Sequence, residues 1–289
     1  MPPQTTMEEN VVYGMYSGLA LLMDVHRPVK PNGLGVLYVP GCAWHAPLAA
    51  GSPQLKNLNT GIPFVDQFNH GLVDPLLDAG YTVFVVNHRA APRFRHPAAV
   101  EDCQRAVRFI RQNADRFGVR PDRIGGVGYS SGAHLVSLLG VLDGAGDPLA
   151  ADPVERQSAK LQCVAAGATA ADLCDLSSPL LSPGVASYLG ILLLFTEPGS
   201  TEQKVAADAS PLTHVSPGDA PHLLFHCEKD EVIPFAHSEK LAAKMREAGV
   251  PVELLKIPGG SHMVTRPPGG PDYTAAMIKW LDSHLRRQP

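Results

Sequence analysis

At 289 residues the chain exceeds an average domain yet suits a single α/β unit, and no linker-like or low-complexity stretch divides it, so one domain over 1–289 is expected. An apolar fraction of 45% with a formal charge of −4 is ordinary for a globular protein and shows neither the basic excess of a nucleic-acid binder nor a run of like charges. Met1 to Asn10 lacks the basic start and apolar core of a secretory signal, and no later run reaches membrane-spanning length, which predicts a cytoplasmic protein with no nucleic-acid or membrane partner.

Val11 to His26 reads as two short strands turned at Ser17-Gly18, an antiparallel start to a sheet. Leu34 to Val39 is a continuous apolar run bounded by Pro-Asn-Gly and Pro40-Gly41, as expected of a central strand buried on both faces. After a long polar loop, Val65, Phe68, Leu72, Val73, Leu76 and Leu77 recur at helical spacing until Gly80 supplies the C-cap. Tyr81 to Asn87 is the next strand, and Pro97 opens a helix whose Val100, Cys103, Val107, Ile110 and Ala114 form one stripe closed by Gly118.

Arg123 to Leu135 then runs from a short apolar strand through Gly128-Tyr129-Ser130-Ser131-Gly132 into an apolar helix pattern. Gly-x-Ser-x-Gly is common by chance, but strand and helix flanks are the context the motif requires when the serine is a nucleophile on a sharp turn. The helix would aim its N-terminal N–H groups and positive dipole end at Ser130, where negative charge develops during acyl transfer. Strands at Leu161–Ala168, His222–Cys227 and Val252–Ile257 follow, with helices near 235–248 and 271–285. This alternation predicts an α/β fold, a mostly parallel eight-stranded sheet with helices on both faces and a ligand site at the carboxyl ends of the strands. Residues 175–215 break the rhythm with Ser, Pro and one apolar block, Tyr188 to Phe195. They read as a small cap insertion, although composition alone fits a buried helix equally well.

A serine hydroxyl needs a histidine to take its proton and a carboxylate to hold that histidine in the right tautomer. Of twelve histidines, His262 lies in a glycine-rich loop directly behind the last strand. His26, His88, His226, His237 and His284 fall within or beside strands and helices and read as buried or surface residues, and His134 is too close to Ser130 along its own helix. The acid should also follow a strand: Asp230 is centred in Cys227 to Pro234, while Glu228 and Glu231 read as solvated charges. The order Ser130, Asp230, His262 is that of the α/β-hydrolase constellation. The five cysteines (Cys42, Cys103, Cys163, Cys174, Cys227) are widely spaced, mostly in apolar surroundings, and suit reduced core thiols; none pairs at metal-ligand spacing, and no metal or other cofactor is expected.

On these residues the chain resembles the α/β-hydrolase superfamily, in particular the feruloyl-esterase-like and hormone-sensitive-lipase-like carboxylesterases whose nucleophile helix begins Gly-x-Ser-x-Gly-x-His. Gly128 to Leu135, Asn87-His88-Arg89 to Pro97, Gly118 to Ile124 and His226 to Pro234 carry the likeness. It implies an oxyanion hole of backbone N–H groups at Cys42, Ala43 and Ser131, and places Trp44 and Tyr129 beside the substrate. One stretch departs: where the family carries His-Gly-Gly, this chain has Pro40-Gly41-Cys42-Ala43-Trp44. A side chain at Cys42 should narrow the approach or send the loop along another path, its thiol a spectator, and the long loop His45 to Pro63 should form part of the substrate wall.

The resemblance implies a serine carboxylic-ester hydrolase, a carboxylesterase, acting through an acyl-enzyme on short-chain or aryl esters of small molecules. Amidase, formamidase or peptidase action on the same triad is the alternative, though prolyl-oligopeptidase-type peptidases add a propeller for which this chain has no room. Acyl transfer to an alcohol would differ only in the exclusion of water. A non-catalytic binding protein on the same fold would be expected to lose a triad member, and none is missing. Monomer and homodimer are equally compatible with the sequence.

Overall fold

Ser17 and Gly18 take φ of 46° and 83°, the left-handed turn whose twist suits a two-residue hairpin, and so set the first strand against the second. The computed structural model describes residues 5–45, 56, 58, 63–191, 197–263 and 265–286. Its strands are β1 Thr6–Tyr16, β2 Leu19–Arg27, β3 Gly35–Val39, β4 Thr82–Asn87, β5 Ile124–Tyr129, β6 Cys163–Gly167, β7 His222–Cys227 and β8 Val252–Ile257. The helices are α1 Pro63–Asp78, α2 Ala98–Gln112, α3 Ala114–Phe117, α4 Ser131–Val141, α5 Ser182–Leu189, α6 Thr201–Asp208, α7 Pro211–His214, α8 Ala236–Glu247 and α9 Tyr273–Leu285. The strands join one sheet in the order β1-β2-β4-β3-β5-β6-β7-β8, antiparallel as far as β4 and parallel beyond it. This is the α/β-hydrolase fold.

Side chains alternate across each strand, so a strand buried on both faces feeds two cores. Val36 and Tyr38 of β3 join Leu72, Val73 and Leu76 of α1 and Met277, Trp280 and Leu281 of α9 on one side. Leu37 and Val39 join Val100, Val107 and Ile110 of α2, Leu135 and Leu138 of α4, and Leu241 and Met245 of α8 on the other. Every residue of α4 is buried, as an apolar pattern around the whole helix requires.

Two expected elements differ. The helix read from Pro97 to Gly118 breaks at Asn113, which leaves helical geometry (φ −110°, ψ 26°) with its side chain donating to Phe109 O at 2.8 Å; one further turn, α3, carries Ala114 into the core. Tyr188 and Leu189 of the expected apolar block end α5, where Gly190 caps it at φ 67°, and Leu192 to Phe195 lie outside the described residues. Of the long loop before α1, 46–55, 57 and 59–62 also lie outside them, as do the side chains of Val65 and Phe68. Lys56 of that loop is buried against Asp24 of β2, at 2.8 and 2.9 Å from its two oxygens. Among the described residues no helix is long and apolar enough to cross a membrane.

The exit from β4 is locked to α2 by charge. Arg89 Nε lies 2.9 and 3.0 Å from the Asp102 carboxylate oxygens, Nη2 lies 2.8 Å from Oδ1, and the Arg89 backbone N–H donates to Oδ2 at 2.7 Å. The side chains are 6% and 2% exposed. Removing one partner of such a pair strands the other charge without solvent. Asp102→Ala should therefore lower the unfolding free energy in urea by roughly 3–5 kcal/mol; a loss under about 1 kcal/mol, the range of exposed pairs, would mean that Glu101, which Arg89 Nη2 already meets at 3.0 Å, or water carries the guanidinium instead.

Candidate active site

The turn after β5 leaves no room for side chains on either flank of Ser130. A Cβ on Gly128 would lie 2.5 Å from the Gly132 carbonyl carbon, and one on Gly132 would lie 1.9 Å from Val39 O. Between them Ser130 adopts φ 55°, ψ −125°, a strained backbone that costs on the order of 1–3 kcal/mol and presents the hydroxyl outward at the carboxyl edge of the sheet. The Ser130 N–H holds the turn to β6 by donating to Gly167 O at 2.8 Å.

Loops leaving β7 and β8 bring Asp230 and His262 to the same edge. His262 Nε2 lies 3.1 Å from Ser130 Oγ, and Nδ1 lies 2.7 Å from Asp230 Oδ2. Because a carboxylate can only accept, Nδ1 carries the proton and Nε2 is free to receive one from Ser130. Asp230 Oδ1 accepts from the Val232 and Ile233 N–H groups at 3.0 and 2.7 Å. Burial pushes the Asp230 carboxyl up, but hydrogen bonds from His226 and His262 outweigh it and hold the group at about 2. Glu228 pairs with Lys256 at 2.7 Å in solvent. Glu231, read from sequence as a solvated charge, instead accepts the His262 backbone N–H at 3.1 Å, a contact 31 residues away that no local pattern announces.

Of the three residues expected to donate to an oxyanion, Cys42 is otherwise engaged: its N–H donates to Ser131 Oγ at 3.0 Å. The Ala43 and Ser131 N–H groups donate to no other group among the described residues, and both residues border a pocket with Ser130. Ser131 opens α4, where an N–H has no partner within the helix. The loop approaches closely because residue 41 is glycine; a Cβ there would lie 2.2 Å from Tyr129 O. Ala43 and Trp44 then take φ of 49° and 61°, unusual for side-chain-bearing residues.

Of the two residues expected beside the substrate, Trp44 borders the pocket at Ser130 and Tyr129 does not. Tyr129 is buried and its hydroxyl donates to His262 O at 3.0 Å, so it supports the histidine loop from below. Trp44 borders the pocket but is 1% exposed; its Nε1–H donates to His134 Nδ1 at 3.1 Å and its ring stacks on Tyr188 of α5 at 4.7 Å. His134 donates through Nε2 to Ala209 O at 2.7 Å, and burial holds it neutral, its pKa lowered to about 3. It is a strut between the loop after β3 and the segment before α7.

The pocket at Ser130 is small, about 60 Å³, and Leu180, Leu181, Gly184, Val232 and Ile233 form its apolar wall. Cys42 is not among the residues that border it, and burial pushes its thiol up, away from the reactive thiolate. The wall therefore comes from residues 180–184 rather than from the Cys42 side chain. His45 Nε2 lies 2.7 Å from Ser187 Oγ and Nδ1 lies 2.6 Å from Ala43 O, so α5 is tied to the same loop that carries Ala43. A larger cleft of about 650 Å³ lies between β1 and α2, but its Arg89 and Arg105 are already paired with carboxylates, and none of Ser130, Asp230 and His262 borders it.

The BD-FAE family model matches residues 59–245, a span that includes Ser130 and Asp230 and ends before His262. Esterase LipC of Mycobacterium tuberculosis is 28% identical over 87% of the chain and 58% of its own length, and the ethyl acetate hydrolase of Pseudomonas putida is 30% identical over 64% and 56%. The chain thus spans little more than half the length of these relatives. A truncated carbohydrate esterase from gut microbiota superposes with a TM-score of 0.75 at 22% identity, over 99% of this chain and 98% of that one, which shows the shared fold.

Asp230 titrates at about 2 when folded, below the roughly 3.9 of an unfolded aspartate, so the folded state releases its proton more readily. Its stabilisation is complete above about pH 4 and is lost as pH falls toward 2. Urea unfolding of Asp230→Asn should accordingly show a flatter decline of stability across that window than wild type, and parallel curves would contradict the depressed carboxyl.

Proposed function

The chain belongs to the BD-FAE family, and from that premise we propose that it is a serine carboxylic-ester hydrolase acting through an acyl-enzyme on esters with short acyl chains. One observation carries the reading: the unbroken line from Ser130 Oγ through the His262 ring to Asp230, with links of 3.1 and 2.7 Å. A serine, a histidine whose tautomer is held by a buried carboxylate, and two unengaged N–H groups beside the serine are the parts acyl transfer needs.

Ser130 Oγ attacks the ester carbonyl carbon as its proton passes to His262 Nε2. The Ala43 and Ser131 N–H groups hold the carbonyl oxygen as it becomes negative. Collapse breaks the bond to the alcohol oxygen, which takes the proton from His262 and leaves an acyl-Ser130. Water repeats the sequence, giving its proton to His262 and displacing Ser130, which recovers it. Asp230 stays ionised throughout and stabilises the imidazolium.

Substrate size follows from the wall. A pocket of about 60 Å³ is far below the roughly 300–1,000 Å³ of sites that enclose drug-sized ligands, and its lining is apolar. It suits an acyl group of a few carbons, in keeping with the name of the Pseudomonas putida ethyl acetate hydrolase. The described part of residues 175–215 serves as the cap, because Leu180, Leu181 and Gly184 border the pocket while Ser178 is anchored to the acid loop by donating to Val232 O at 2.7 Å.

Ser130→Ala should lower turnover of p-nitrophenyl acetate by more than about a hundredfold while thermal unfolding is unchanged, since binding and the oxyanion donors alone supply little of the rate. An organophosphonate adduct found by mass spectrometry on Ser131 or Cys42 rather than Ser130 would overturn the assignment. Across p-nitrophenyl esters from acetate to palmitate, rates should peak at the short end. Leu180→Ala, at a residue 57% exposed, should shift the profile toward longer chains with little change in stability. An optimum at ten or more carbons in wild type would contradict the cap reading.

A further inference from the structure

We propose that His226 is a positioning residue for the triad acid, holding the Asp230 carboxylate from the side opposite His262; the inference rests on the triad reading above. His226 lies at the end of β7 with its side chain fully buried. Nε2 lies 2.9 Å from Ile233 O and 3.3 Å from Asp230 Oδ2, and both can only accept, so this nitrogen carries a hydrogen that the two share. Nδ1 lies 2.7 Å from the hydroxyl of Ser238, itself completely buried on α8, and Phe235 meets the ring edge-on at 5.6 Å. The ring is therefore held at both nitrogens and along one side.

A histidine buried for packing alone would be satisfied by Ser238 and Ile233 O. The third contact meets the oxygen that accepts the His262 Nδ1–H hydrogen bond. With Val232 and Ile233 N–H on Oδ1, and His262 and His226 on Oδ2, the carboxylate has donors on every side and cannot rotate away from His262. The N–H of His226 also draws charge from Oδ2, which tempers the pull of Asp230 on the His262 proton. Other ionisable groups face the cluster: Glu231 accepts the His262 backbone N–H at 3.1 Å, Cys227 of β7 and Tyr129 of β5 lie close enough to Asp230 to feel its charge, His237 lies on α8, and the Lys256 ammonium of β8 sits over Phe235 at 5.1 Å.

Loss of His226 leaves Asp230 Oδ2 to His262 alone, so the imidazolium of His262 is stabilised and titrates at higher pH. Proton NMR of the His262 Nδ1–H resonance reads this without substrate. In His226→Met the titration should move up by roughly half a pH unit or more, and the acid limb of kcat/KM for p-nitrophenyl acetate should move with it. Turnover should fall about tenfold or more with KM within about twofold, as expected for losing one hydrogen bond to a charged group. His226→Gln, which keeps an N–H donor in reach of Oδ2, should restore most of both. Ser238→Ala, which frees the ring at Nδ1, should move the titration the same way by less, and provides the measurement if His226→Met does not fold. Unmoved titrations in folded His226→Met and Ser238→Ala would overturn the proposal even if the wild type is a Ser130-dependent esterase. A shifted titration in a protein that hydrolyses no ester would instead overturn the esterase reading and leave the positioning role standing.

Discussion

The site depends on a steric constraint: at the end of β5 the backbone passes so close to its neighbours that three positions admit no side chain. Gly128 and Gly132 face one another and Val39, and Gly41 faces Tyr129. The first two force Ser130 into a conformation that any other environment would relax, and the third brings the loop after β3 against the nucleophile turn. A larger residue at any of them would push apart the serine and the N–H groups that flank it, so the strain at Ser130 persists because the packing around it leaves no alternative.

Around this turn the histidine is held through its backbone as much as through its ring. Tyr129 donates to His262 O, Glu231 accepts the His262 N–H, and Asp230 accepts from Nδ1. Three residues from two elements, β5 and the loop after β7, thus converge on one residue of a glycine-rich loop that is also tied to the acid loop where the Lys229 N–H donates to Gly260 O at 3.0 Å. Tyr129 has a double duty, since it is also the residue immediately before Ser130. The strand that delivers the serine therefore also sets the height of the histidine loop.

Much of this was legible in the sequence because it is local. A hairpin dipeptide, strands apolar on both faces, and loops carrying Asp230 and His262 directly behind strands all declare themselves within a few residues, and the strand-end rule then brings distant loops to one edge of the sheet. What was not legible is contact between side chains and remote backbone. The Cys42 N–H could not be known to turn to Ser131 Oγ, because the two residues are 89 positions apart and no local pattern announces the contact. Glu231 looked solvated since its partner is a backbone group across the site. His226 reads as a buried or surface histidine and His134 as one too close to Ser130 along its own helix, and the contacts of both appear once the orientation of each ring nitrogen is seen.

The tie between α5 and the loop after β3 joins two tasks that are often separate. Ser187 and Tyr188 hold His45 and Trp44, so the segment that walls the pocket at Ser130 also props the backbone of Ala43. Under the proposed ester hydrolysis, a substitution in α5 that admits a larger acyl group would therefore be felt by every substrate, the smallest included. Divergence toward bulkier esters in this scaffold should proceed by coupled changes, with replacements at α5 tolerated after compensating ones in residues 42–45. The acyl-chain range and the efficiency of the chemistry are then inherited together.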